Sequence, residues 1–170
     1  MTNPAPVPAF LRGNLEQTST LASAWIRGLE STEEQIMKWT TGLSPEGLWW
    51  SATPDSNTIG GLINHIWITN LRLLHFAQGV ALPAELNKTA PEQLAPTGEG
   101  LEDILRKFVA AQTRLKAALR QMSPEDLETP RERLGQWVPA LHLCHKLVEH
   151  SHEHVGQIIT LRKLWNAQKA

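Results

Sequence analysis

Histidine is sparse in this chain except in one place. Of seven histidines in 170 residues, five fall between His142 and His154, in the run "LHLCHKLVEHSHEH". Two of them, His150 and His154, stand four residues apart. On a helix that spacing stacks two imidazoles about 6 Å apart on one face, close enough for both to reach a single ion about 2.1 Å from each nitrogen. A third imidazole from a neighbouring helix would complete one side of such an ion and leave its other positions open. Neutral nitrogen ligands with open positions characterise a catalytic metal site rather than a closed structural one.

Helical geometry, at about 100° per residue, sorts the histidines. With His150 at zero, His154 lies at about 40°, and the apolar residues Leu143, Leu147, Val155, Ile158 and Leu161 fill roughly the next half-turn. Both histidines sit on one shoulder of the buried face. His145 and His152 fall at the opposite shoulder and His142 on the polar side, where solvation is the expected role. In the segment "TIGGLINHIWITNLRLLHF", His65 occupies the same shoulder of its own apolar stripe. His75, at about 280°, is expected to point away together with Arg72 and Ile68. The competing reading is that His65 is a satisfied core histidine bonded to a carbonyl, with the C-terminal group a solvated face.

The elements that must position these rings are all helical. Asn14 to about Thr41 reads as one long helix with a weak point at Gly28 and Ser31. A second runs from the cap residues Ser56, Asn57 and Thr58 to Gly79. Residues 80–99 hold three prolines and are expected to form a long connection with little regular structure. A third helix spans Leu101 to Met122, and a fourth starts at about Pro139 and runs to Trp165. With no alternating strand pattern and no tight hairpin signal, the fold class is all-α, a four-helix bundle in a single domain spanning 1–170 with an extended arm at 1–10. The hexapeptides "LSPEGL" and "MSPEDL" follow the first and third helices and suggest two pseudo-symmetric helical hairpins.

Composition narrows the partners. Sixteen basic and seventeen acidic residues leave a formal charge of -1, no field with which to hold nucleic acid or an anionic membrane. No apolar run is long enough to span a bilayer. One cysteine excludes an internal disulfide and suits a reducing cytoplasm. Cys144 is placed mid-core, as a small apolar residue and not a nucleophile. The N-terminal "MTNPAPVPAF" lacks the pattern of a signal peptide.

Two segments together resemble the DinB superfamily: "LSPEGLWWSATPDSNTIGGLINHIWITNLRLL", similar to its second-helix signature, and "LVEHSHEHVGQIITLRKL", similar to its last. The resemblance covers roughly residues 10–168. It implies a four-helix bundle of up, down, down, up topology, with the long connection between the second and third helices. It also implies a divalent metal held by His65, His150 and His154. Some relatives are S-transferases using mycothiol or bacillithiol, others are thiol-dependent maleylpyruvate isomerases, and many have no assigned reaction. The expectation is therefore a metal-dependent enzyme activating a low-molecular-weight thiol or water against a small-molecule electrophile. The alternative is a non-catalytic, stress-associated metal- or ligand-binding bundle. Zinc or nickel suits the ligand set best, with iron or manganese as further choices. Gln157 is a candidate to bond an imidazole or the substrate, and Trp50 a candidate wall over the ion, although a core role for Trp50 competes. Glu149 and Glu153 project away from the ligand side. Gly156 is expected to permit close helix approach. Trp67, Ile68 and Leu71 extend the apolar surface of the second helix beyond one face, which would suit a homodimer.

Overall fold

A computed structural model describes residues 7–169; the part of the expected N-terminal arm at 1–6 lies outside the described residues. Four long helices dominate: α1 (Thr20–Thr40), α3 (Ile59–Gln78), α5 (Leu101–Gln121) and α7 (Ala140–Ala167). Between them sit three five-residue helices, α2 (Pro45–Trp49), α4 (Ala90–Leu94) and α6 (Pro124–Glu128). None of the helices among the described residues is long and apolar enough to cross a membrane.

The helix ends follow their caps. Ser19 accepts from the amide of Ala22 and starts α1, so the helix begins at Thr20 and not near Asn14. Gln17, with φ of 53°, lies outside helical space just upstream. Thr58 accepts from the amide of Gly61 at the head of α3, and Gly79 ends it in the left-handed conformation. The repeated S-P-E hexapeptides become α2 and α6, each opened by its serine hydroxyl, Ser44 on Gly47 and Ser123 on Asp126, with proline at the start.

Two departures from the sequence-based expectation matter for the site. Residues 80–99 are not featureless: they contain a 3-10 turn at Ala84–Leu86 and the helix α4. Second, the chain between α6 and α7 forms an antiparallel hairpin, β1 (Pro130–Arg133) and β2 (Gln136–Pro139), with Arg133 opposite Gln136. Its two-residue loop holds Leu134 at φ 54° and Gly135 at φ 77°. Such a turn is usually announced by Asn-Gly or Asp-Gly, and leucine at the first position disguises it. The hairpin is tied to the end of α3: Arg131 donates through Nε to the carbonyl of Ala77 at 2.9 Å and lies near Gln78, meeting carbonyls that a helix end leaves unpaired.

Helix α3 packs against both α5 and α7, and α1 likewise against both. The core divides into two clusters. One joins Trp25, Ile26 and Leu29 of α1 with Leu71 and Leu74 of α3, Leu115 and Leu119 of α5, and Leu143 and Leu147 of α7. The other joins Ile36 of α1 with Leu62, Ile63 and Ile66 of α3, Phe108 of α5, and Val155 and Ile158 of α7. Ile68 and Leu71 are buried within the chain, and the Trp67 indole donates to Asn64 Oδ1 at 3.0 Å. The apolar surplus that suggested a dimer face is thus largely covered by the chain itself.

The two glycines singled out by sequence behave in opposite ways. Helix α1 runs through Gly28 without a break, and a Cβ there would come 2.5 Å from Cγ1 of Val148. Gly28 is the place where α1 and α7 approach closely. Around Gly156 nothing lies within 4 Å of such a Cβ, which corrects the expected close approach at that position. Gly156→Ala should therefore stabilise by up to about 1 kcal/mol through helix propensity. Gly28→Ala should destabilise by about 1 kcal/mol, because overpacking costs roughly 1–3 kcal/mol and exceeds the propensity gain. Urea denaturation of both variants checks the difference in sign.

Candidate metal centre

Helix α3 contributes His65 and helix α7 contributes His150 and His154. The buried bond from Asn70 Nδ2 to Ser151 Oγ, at 2.7 Å, and the onward bond from Ser151 to the carbonyl of Leu147 lock the two helices together beside them. The three imidazoles converge. Nε2 of His150 stands 3.1 Å from Nε2 of His65 and 3.1 Å from Nε2 of His154. The ligating atoms of all three lie within 4.8 Å of one another, and each pair of rings is tilted or edge-on with centroids 4.5–4.9 Å apart.

The proton positions follow from the neighbours. Gln93 donates through Nε2 to the carbonyl of Lys88 at 2.7 Å, which turns its Oε1 toward His65 at 2.9 Å. An amide oxygen only accepts, so the His65 proton is on Nδ1 and its Nε2 lone pair faces the cluster. Thr69 donates to the same Gln93 oxygen at 2.8 Å. On the other side Oε1 of Gln157 accepts from Nδ1 of His154 at 3.3 Å, again leaving an Nε2 lone pair directed inward. His150 lies between them, only 8% exposed, and its Nδ1 is buried with no hydrogen-bond partner among the described residues.

This arrangement fits a cation. Two nitrogens each about 2.1 Å from one ion, at angles between 90° and tetrahedral, stand about 3.0–3.4 Å apart, the spacing seen here. With the His150 proton on Nε2, one neighbouring lone pair is met by an N–H and the other is not. With it on Nδ1, all three Nε2 lone pairs face a common point, the arrangement a cation satisfies. Protonation supplies such a positive charge poorly: burial, then charge on His154 and on His65, pushes His150 down to about 3. Burial, followed by His154, also lowers His65, against the opposing bond to Gln93. His65, His150 and His154 could therefore hold a divalent metal ion, with the two glutamines orienting the outer rings.

The sequence model of the DinB superfamily matches residues 28–158, a stretch that holds all three histidines. This chain belongs to the DinB superfamily. Among solved structures it is similar to a DinB-like protein from Bacillus cereus ATCC 10987, with a TM-score of 0.69 at 21% identity over 89% of this chain and 95% of that one. It is also similar to a DinB-like protein from Bacillus subtilis, with a TM-score of 0.64 at 17% identity over 87% of this chain and 92% of that one. At these identities the likeness concerns the DinB fold alone. No curated protein sequence is significantly similar to this chain.

The remaining sequence-based candidates distribute as follows. Gln157 reaches His154, as described. Trp50 has Trp165 as ring partner, with centroids 5.7 Å apart, and packs against the cluster around Ile36 and Leu62. Glu149 and Glu153 both face Lys146, at 3.3 and 3.6 Å, on the outer side of α7. His142, His145 and His152 are exposed. Cys144 is buried, and burial pushes its thiol up to about 12, far from a nucleophile's range. His75 is the clear correction. It is 5% exposed, donates from Nδ1 to the carbonyl of Ala81 at 2.9 Å and accepts at Nε2 from Arg114 at 2.7 Å. The single-helix projection could not foresee that the chain after Gly79 and helix α5 cover that side.

Gln93 and Thr69 are the residues that reasoning from sequence missed. A signal for Gln93 was present in "TAPEQL", where Thr89 and Glu92 form a capping box that opens α4 and aims the glutamine. Gln93→Ala should weaken divalent-metal binding by roughly 10- to 100-fold, the usual cost of losing a group that orients a ligating histidine. Isothermal titration of metal into the variant checks this, and wild-type affinity would exclude the orienting role.

Proposed function

We propose that this protein is a metal-dependent enzyme in which His65, His150 and His154 hold one divalent ion, zinc or nickel by preference, to activate a low-molecular-weight thiol or water against a small electrophile. The observation carrying this reading is the convergence of three Nε2 atoms, two with their protons fixed on the far side of the ring. A divalent ion bound there supplies Lewis acidity, lowering the pKa of a thiol or water it holds and polarising an adjacent electrophile.

The chain's own residues prepare the site. Gln93 and Gln157 hold the outer rings at their Nδ1 protons, so that only nitrogen lone pairs are presented. His150 is kept neutral by burial. A cleft of about 300 Å³ lies beside His65, and another of about 570 Å³ is lined by Gln157 and Gly156 of α7. The order of the two core clusters supports an up, down, down, up bundle. The first half of α1 shares a cluster with the ends of α3 and α5 and the start of α7, and the opposite halves share the other cluster. The proposed setting is the cytoplasm, where small thiols stay reduced.

The direct test is metal analysis of the purified protein, followed by thiol consumption with a panel of small electrophiles, with and without chelator. Turnover abolished by chelator and restored by metal supports the reading; equal rates in both conditions sink it. A second reading, in which the ion serves stability alone, is favoured by one observation: histidines are the only members of the cluster among the described residues, with no carboxylate beside them to act as a base. Under that reading metal raises the melting temperature while no thiol or ester is turned over.

A further inference from the structure

The cleft beside His65 has an unusual lining. Thr69, Arg72 and Phe76 enter it from α3, Gln93 from α4 and Arg133 from β1, and no carboxylate takes part. Both arginines are half-buried. The guanidinium of Arg72 donates to the carbonyl of Lys88, and that of Arg133 lies over the Phe76 ring, 4.5 Å from its centroid. Among the described residues neither forms an ion pair, whereas Arg12, Arg27 and Arg106 each pair with an acid. A guanidinium carries five N–H donors, so most of those in this cleft have no protein acceptor.

Arg133 is held there by structure. Its neighbour two residues back on the same face of the hairpin, Arg131, bonds the carbonyl of Ala77 at the end of α3. That contact fixes the strand against Phe76. Arg72 has its basicity lowered by burial and then by the like charge of Arg133. Bringing two cations into one half-buried cleft without a counter-charge is unfavourable, and an entering oxyanion reverses the sign of the interaction. Paired guanidinium forks match the two oxygens of a carboxylate or the several of a phosphate.

We propose that Arg72 and Arg133 form an oxyanion subsite next to the histidine centre, which takes a carboxylate or phosphate group carried by the small molecule acted on there. The link to turnover rests on the proposed function; the anion site itself does not. Thr69 and Thr89 also line the cleft, but their hydroxyls already donate to Gln93 and Glu92, so the two guanidinium groups supply its donors. The substrate class is thereby narrowed to anionic small molecules whose reactive carbon lies a short distance from an acidic terminus.

The experiment uses the full chain stripped of metal, so that no ion competes for the anion. Succinate, inorganic phosphate and neutral succinamide are titrated into wild type, Arg133→Gln and Arg72→Gln, with NMR of the guanidinium Nε–H signals and calorimetry as readouts. Circular dichroism confirms that the hairpin variant is folded. Saturable binding of succinate or phosphate, none of succinamide, and affinity lowered by roughly tenfold or more in Arg133→Gln support the subsite. Tighter binding of succinate identifies a carboxylate, and tighter binding of phosphate identifies a phosphate. Absence of binding by either anion, equal binding of succinamide, or unchanged affinity in both variants overturns it. Metal uptake measured on the same samples separates the two ideas. Metal binding without anion binding removes only the subsite, and anion binding without metal uptake removes only the metal centre.

Discussion

Replacing His150 by alanine is expected to lower divalent-metal affinity by more than about 100-fold, beyond the loss usual for a residue that merely orients a ligand. His150 is the middle of the three rings, the one whose Nε2 stands 3.1 Å from both of the others. Without it, His65 and His154 remain as two ligands where the centre has three. In wild type, metal at about 1,000 times its dissociation constant should add roughly 4 kcal/mol to stability. For a chain of this size that corresponds to a rise in melting temperature of roughly 8–16 °C. In His150→Ala the rise should largely vanish. The residue is buried, so the substitution will also alter packing, and His154→Ala serves as the companion because that ring is half-exposed. Retention of the full metal-induced shift in both variants would remove the three-histidine centre.

Acid should unfold the metal-free protein more readily than its ordinary composition suggests. His150 titrates at about 3 in the folded chain, chiefly because of burial, but at about 6.5 once unfolded. Between those values the unfolded state binds a proton that the folded state refuses, so stability rises with pH across this window. The stability is fully present above about pH 6.5 and is lost progressively as pH falls toward 3. The loss amounts to a few kcal/mol, with a ceiling of about 1.4 kcal/mol for every tenfold difference in proton affinity between the folded and unfolded chain. His65 moves in the same direction and adds to the effect. Thermal melts of metal-free protein from pH 7.5 to 4 check the sign, and the same series on His150→Ala should show a shallower dependence. A wild-type curve that is flat across this range would contradict a histidine buried without a proton.

Both outcomes depend on features with different degrees of legibility in the chain. The shared shoulder of His150 and His154 is a property of one helix, because successive residues turn by a constant angle wherever the helix lies. The position of His65 on α3 was legible for the same reason. Gln157, three residues from His154, was legible as well. Gly79 and Thr58 end and begin α3 through local backbone chemistry that needs no tertiary partner.

Tertiary structure alone decided the rest. His75 projected to the outside of α3, yet it is buried between Arg114 and the carbonyl of Ala81, because a helix surface is exposed only if nothing else folds over it. Gly28 and Gly156 look alike in sequence, and only the approach of Val148 tells them apart. Gln93 stands 28 residues from the ring it orients. Arg72 and Arg133 are brought to one cleft by a hairpin whose turn carries leucine where asparagine is usual. By itself the sequence determined a set of amphipathic helices and which face of each carries its histidines, since periodicity and capping act within a few residues. Which faces meet, which groups lose water and which charges lack partners depend on contacts between distant segments, and no local rule contains them.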